Sequence, residues 1–102
     1  MKRIMVRYQL KADRVDENVQ LVRAVFDELA RTTPSGIRYM TFHLPDRVSF
    51  VHIASIETTD GNNPLLAVDA FRAFSAAIKD RCVEPPATAE LTEVGTYRVF
   101  ES

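Results

Sequence analysis

The chain has 102 residues, the length of one ordinary domain, and 46% hydrophobic with 26% charged residues excludes a disordered tail or a fibrous repeat. A formal net charge of −1, with acidic and basic residues interspersed, argues against nucleic acid or a membrane surface as partner. No stretch approaches the roughly 18 apolar residues that span a bilayer, so no transmembrane segment is expected.

The first apolar run, Ile4, Val6, Tyr8 and Leu10, has a period of two and predicts a half-buried strand over residues 3 to 10. An arginine inside this N-terminal run is unlike a signal peptide, and a cytoplasmic protein is expected. From Val15 the apolar positions become Val15, Val19, Val22, Phe26 and Leu29, one stripe of a helix over about 14 to 32. Asp13 is placed to cap it, Asp16 and Glu17 sit in its first turn, and Pro34 with Gly36 stops it. Residues 37 to 44 and 48 to 56 read as two strands, and Pro45-Asp46-Arg47 is short enough to make them an antiparallel hairpin. Asn63 before Pro64 marks the start of a second helix, whose stripe is Ala67, Phe71, Phe74 and Ile78 and which Glu84-Pro85-Pro86 should end. A fourth strand is expected over 88 to 100, with Leu91, Val94, Tyr97, Val99 and Phe100.

The order βαββαβ predicts one α+β domain over 1–102, ferredoxin-like, with both helices on one face of a four-stranded antiparallel sheet. Both sets of strand side chains are substantially apolar, so something must cover the other face, and a twofold homodimer packed sheet to sheet would do so. Taking Val6, Tyr8, Met40, Phe42, Val51, Ile53 and Val94 as the helix-facing set leaves Met5, Arg7, Gln9, Tyr39, Thr41, His43, Phe50, His52, Ala54, Tyr97 and Val99 on the opposite face. That mixture of aromatics with Arg and His suits an enclosed small-molecule cavity.

The layout over the whole chain, the Arg-Tyr-x-Leu-Lys run from Arg7 to Lys11, and the closing Val94-Gly95-x-Tyr97 resemble the antibiotic biosynthesis monooxygenase-like family of the dimeric α+β barrel superfamily. The resemblance implies a homodimeric barrel and, in some members, cofactor-free oxidation of an aromatic or quinol substrate by dioxygen. Other members isomerise lactones, degrade haem or have no assigned activity. The haem-degrading branch carries an Asn, Trp and His set, whereas this chain has no Trp and no His in its second helix, so haem degradation is not expected. The monooxygenase branch often uses Trp, Asn and Tyr, of which only tyrosines stand in the expected strands.

His52, mid-strand, is the candidate general base, since an imidazole titrates near physiological pH; the structural alternative is a hydrogen-bonded core histidine. Arg7, Tyr39 and Tyr97 would help to position a ligand, although for Arg7 a structural salt bridge, for example to Glu93, is the favoured reading. Phe71 and Phe74 are expected to pack on the sheet, and the resemblance implies that they border the pocket. His43 lies beside a turn and is expected to be solvent-exposed, so neither histidine has a partner at metal-ligand spacing and no metal is expected. Cys82 is the only cysteine, which excludes an internal disulfide and fits a reduced compartment. The expectation is thus a small-molecule monooxygenase-like protein binding a compact aromatic or quinol-type ligand without cofactor. The alternative is a non-catalytic dimeric binding or assembly module whose barrel is packed solid, which a cavity of about 300 Å³ or more would exclude.

Overall fold

The computed structural model describes residues 1–99. The period-two run at the start forms β1 (Lys2–Leu10), followed by a 3-10 turn (Ala12–Arg14) and α1 (Val15–Thr32). The hairpin comprises β2 (Ile37–His43) and β3 (Ser49–Ile56); a second 3-10 turn (Pro64–Ala67) leads to α2 (Asp69–Ala76), α3 (Ile78–Arg81) and β4 (Cys82–Leu91). The strands form one sheet in the order β2-β3-β1-β4, every neighbouring pair antiparallel, as the ferredoxin-like reading requires. The core lies between this sheet and the helices, where Tyr8, Leu10 and Phe50 meet Val22 and Val25 of α1 and Phe74 of α2. Among the described residues, no helix is long and apolar enough to cross a membrane.

Turn chemistry sets the connections. Asp46 accepts from the backbone N–H groups of Val48 (3.0 Å) and Ser49 (2.8 Å), which closes the β2–β3 hairpin. Gly36 has φ +81°, and a Cβ there would stand 2.6 Å from Cγ2 of Thr58, so both conformation and space demand glycine after α1. Asn63 does cap, accepting from Leu65 N–H at 3.0 Å, but the element it opens is the 3-10 turn.

Several expectations are corrected. Asp13 makes no capping hydrogen bond to α1, because the 3-10 turn ahead of Val15 leads the chain into the helix instead. The second helix breaks at Ala77 and ends at Arg81, while Glu84-Pro85-Pro86 lies inside β4. β4 tolerates two prolines because it is an edge strand and bulges against β1 between Arg7 and Leu10. Residues 92–99 follow β4 without joining the sheet, so Val94, Tyr97 and Val99 are exposed rather than paired; Phe100 lies outside the described residues.

The phase of the strands is also corrected. Direct partners in antiparallel strands point to the same side, and Val6 pairs with His52, which pairs with Thr41. Tyr39, Thr41, Phe50, His52 and Ala54 therefore share the helix-covered face with Val6 and Tyr8. The open face carries Met5, Arg7, Met40, Phe42, Val51, Ile53, Ala87 and Ala89. Alternation within each strand is as expected, but the assignment of β2 and β3 relative to β1 is reversed.

Candidate functional site

The helix-covered face holds a cavity of about 200 Å³ between the sheet and α2, walled by Val6, Ala54, Leu65, Phe71, Phe74 and Ile78. Its polar groups are few: Tyr8, Tyr39 and His52 from the strands, Asn63 from the turn before α2, and Ser75 from α2. An apolar wall with a handful of converging polar groups is the usual construction of a small-molecule site. The volume lies below the range of drug-sized sites yet exceeds the roughly 150 Å³ that admits a benzene, so one or two aromatic rings match it. The cavity lies between sheet and helices, where a ligand was expected, and Tyr39 and His52 reach it because the strand phase is the reverse of the expected one.

α2 is held over the cavity by a contact from α1. Glu28 accepts from the backbone N–H groups of Asp69 (3.0 Å) and Ala70 (2.9 Å), the first free donors of α2, which has no capping side chain of its own. This places Phe71 and Phe74 against the strand aromatics: Phe71 meets Tyr39 edge-on with ring centroids 6.2 Å apart, and Phe74 lies 5.2 Å from His52.

His52 is buried and engaged on both ring nitrogens. The Tyr8 hydroxyl lies 2.7 Å from Nε2, while the Tyr39 hydroxyl (2.5 Å) and Thr41 Oγ1 (3.0 Å) lie beside Nδ1. Burial pushes the His52 pKa down to about 4, so the ring is neutral at physiological pH. Burial likewise pushes Tyr39 up to about 12 and Tyr8 higher still, which keeps both phenols protonated. The expected base therefore sits on the cavity wall with no nitrogen left over for direct contact with a ligand.

Behind Tyr8 the network continues into residues that the sequence reading did not single out. Asn18 Nδ2 donates to the Tyr8 hydroxyl oxygen at 2.9 Å, and Arg81 Nε donates to Asn18 Oδ1 at 3.2 Å. Arg81 also donates to the Phe74 carbonyl at 2.7 Å, and its guanidinium carbon stands 5.5 Å from the Phe74 ring centroid. Both Asn18 and Arg81 are essentially unexposed, at 0% and 1%. The available signal was Asn18 on the apolar stripe of α1, a polar residue where packing wants none.

The remaining expected site residues lie elsewhere. Arg7 is exposed on the open face, and the ion pair with Glu93 is made by Arg3 instead. Tyr97 is 78% exposed beyond β4, with Arg98 over its ring, and does not line the cavity. His43 is exposed, donates from Nε2 to the Arg47 carbonyl at 2.8 Å and stacks on Phe50. Cys82 is buried, and its thiol is pushed up by that burial in spite of neighbouring Arg81. Among the described residues, no cluster of three or more His, Cys, Asp or Glu could hold a metal ion.

Comparison with solved structures places this geometry among known proteins. A crystal structure of an antibiotic biosynthesis monooxygenase superposes with a TM-score of 0.73 at 18% identity, covering 93% of this chain and 100% of the other. The chain has the antibiotic biosynthesis monooxygenase fold. SnoaB, a cofactor-independent oxygenase from Streptomyces nogalater, matches this fold at a TM-score of 0.68 and 18% identity, over 95% of this chain and 96% of its own. A protein of unknown function from Nitrosomonas europaea matches at 0.72 and 12%, over 94% and 91%, so the monooxygenase fold also occurs in proteins without an assigned activity. No family model matches the sequence. No curated protein matches it either.

Proposed function

We propose that the chain is an antibiotic biosynthesis monooxygenase-like protein that oxidises a compact one- or two-ring phenol or quinol with dioxygen and without a cofactor. The observation that carries this reading is an aromatic-lined cavity of about 200 Å³ with a neutral, doubly hydrogen-bonded His52 on its wall. The fold shared with SnoaB, a cofactor-independent oxygenase, supports the reaction class. For a dihydroxynaphthalene the balance is quinol plus O₂ giving hydroxyquinone plus water. Phe71, Phe74 and Tyr39 would contact the rings, and His52 would act on the ligand through Tyr39. Arg7 and Tyr97 have no place in this site.

The working unit of the proposal is a homodimer joined through the open sheet face. Its support is the run of Met5, Met40, Phe42, Val51 and Ile53 on that face, with Phe42 53% exposed in the single chain. A soluble, cytoplasmic protein fits this picture.

Oxygen uptake with 1,4-dihydroxynaphthalene and with one-ring quinols tests the reading. Consumption faster than the spontaneous rate, with hydroxyquinone as product, is expected after exhaustive dialysis against a chelator. One observation favours the alternative of a non-catalytic dimeric binding module: both nitrogens of His52 are already satisfied inside the protein. Saturable binding of these compounds without faster oxygen uptake would select that module, and absence of binding would overturn both readings.

A further inference from the structure

The hydrogen bonds around His52 have a direction, and it originates at Arg81. A guanidinium only donates, so Arg81 Nε–H fixes Asn18 with its Oδ1 toward Arg81 and its amide hydrogens toward Tyr8. The Tyr8 oxygen thus accepts from Asn18, and the acceptor that the described residues offer to its own hydrogen is Nε2 of His52, 2.7 Å away. A neutral imidazole that accepts at Nε2 carries its hydrogen on Nδ1, which then donates to the Tyr39 oxygen at 2.5 Å. Thr41, 3.0 Å from Nδ1, donates to the Tyr39 oxygen as well, so Tyr39 accepts from both neighbours and has its own hydroxyl hydrogen left for the cavity that it lines.

A second observation concerns charge. Among the described residues, no carboxylate lies within ion-pair distance of Arg81, although the residue is only 1% exposed. The carboxylate whose charge reaches Arg81 is Glu17, at longer range and on the solvent side; held directly only by neutral acceptors, the buried guanidinium still gains if an anion settles nearby. Phe74, beneath the guanidinium, is itself a wall of the cavity.

We propose that Arg81, through Asn18 and Tyr8, holds His52 in the Nδ1–H tautomer, so that Tyr39 donates a hydrogen bond to the ligand oxygen and the cavity selects the phenolate or enolate form. Arg81, Asn18 and Tyr8 are positioning residues, and Tyr39 is the donor that meets the ligand. This rests on the aromatic-ligand reading above for its substrate class. The tautomer itself can be tested without any ligand.

The experiment is long-range ¹H–¹⁵N NMR of the His52 ring in the unliganded protein, with the only other histidine, His43, replaced by Gln to simplify assignment. A pyrrole-type Nδ1 and a pyridine-type Nε2 at neutral pH are expected; the reverse pattern, averaged signals or a cationic ring overturns the relay. Asn18→Asp reverses the chain without changing its size. A carboxylate accepts from both Arg81 and Tyr8, which frees the Tyr8 oxygen to accept from Nε2–H. The hydrogen should therefore move from Nδ1 to Nε2, and an unchanged Nδ1–H pattern in a folded variant overturns the proposal. If that variant does not fold, Tyr8→Phe, which removes the donor to Nε2, should lose the single-tautomer pattern, and a retained Nδ1–H pattern overturns it.

4-Nitrophenol, whose colour reports ionisation, tests the anion preference. It should ionise at lower pH when bound than when free, and its anion should bind roughly ten-fold more weakly to Asn18→Asp. Binding of the neutral form alone overturns the anion preference. Failure of 4-nitrophenol to bind at all, alongside the expected tautomer, would sink the aromatic-ligand reading while leaving the relay standing.

Discussion

Val6 and His52 stand opposite each other across the β1–β3 pair, so the imidazole shares the helix-covered face with a valine and lies out of water. The consequence is a pH dependence of stability. In the unfolded chain His52 titrates near 6.5, whereas in the fold burial holds it to about 4. Between those values the unfolded state binds a proton that the folded state refuses, so stability is present above about pH 6.5 and falls as the pH drops toward 4. The slope from this group is about 1.4 kcal/mol per pH unit. Urea midpoints at pH 7, 6 and 5 should show it, and His52→Gln should have a measurably flatter profile; equal slopes would refute the assignment.

Tyr39→Phe removes a hydroxyl while keeping the ring stacked on Phe26 at 5.3 Å. Thr41 still serves Nδ1 of His52, so the loss of stability should stay near 1 kcal/mol. Affinity for a two-ring phenol, measured by calorimetry, should fall about ten-fold. An unchanged affinity would remove Tyr39 from the site.

Glu28→Ala strips the two side-chain acceptors from the start of α2 and should cost about 1 to 2 kcal/mol in denaturant unfolding. Because α2 carries Phe71 and Phe74, ligand affinity should weaken together with stability. Hydrogen exchange gives the local signature: the amides of Asp69 and Ala70 should exchange faster, while those of β3 change little.

Phe42→Asp puts a charge on the open face of the sheet without touching the cavity. Sedimentation velocity should show a dimer for the natural chain and a folded single chain for the variant. A natural chain that sediments alone at micromolar concentration would rule out the sheet-to-sheet association.

Much of this architecture was readable in the residues. The change of apolar spacing between Leu10 and Val15 marks β1 and α1, and the short Pro45-Asp46-Arg47 connection marks the hairpin. Which face meets the helices was not readable, since both sets of strand residues are apolar and alternation inside one strand says nothing of its phase against another. Only the pairing of Val6 with His52 and of His52 with Thr41 decides it. The end of the chain misled for a related reason: prolines stop a helix, yet Pro85 and Pro86 are tolerated in an edge strand. His52, Tyr39, Phe71 and Phe74 stood out by type, but Arg81 looks ordinary in sequence and Asn18 is marked only by its place on the apolar stripe of α1. They are 63 residues apart, and only the folded chain brings them into line behind Tyr8.

Pro85 and Pro86 also bear on how copies of the molecule can meet. A sheet margin lengthens by offering successive amide hydrogens to an incoming chain, and these two residues have none to offer. Along β4 the protein is thereby defended against fibre-like stacking.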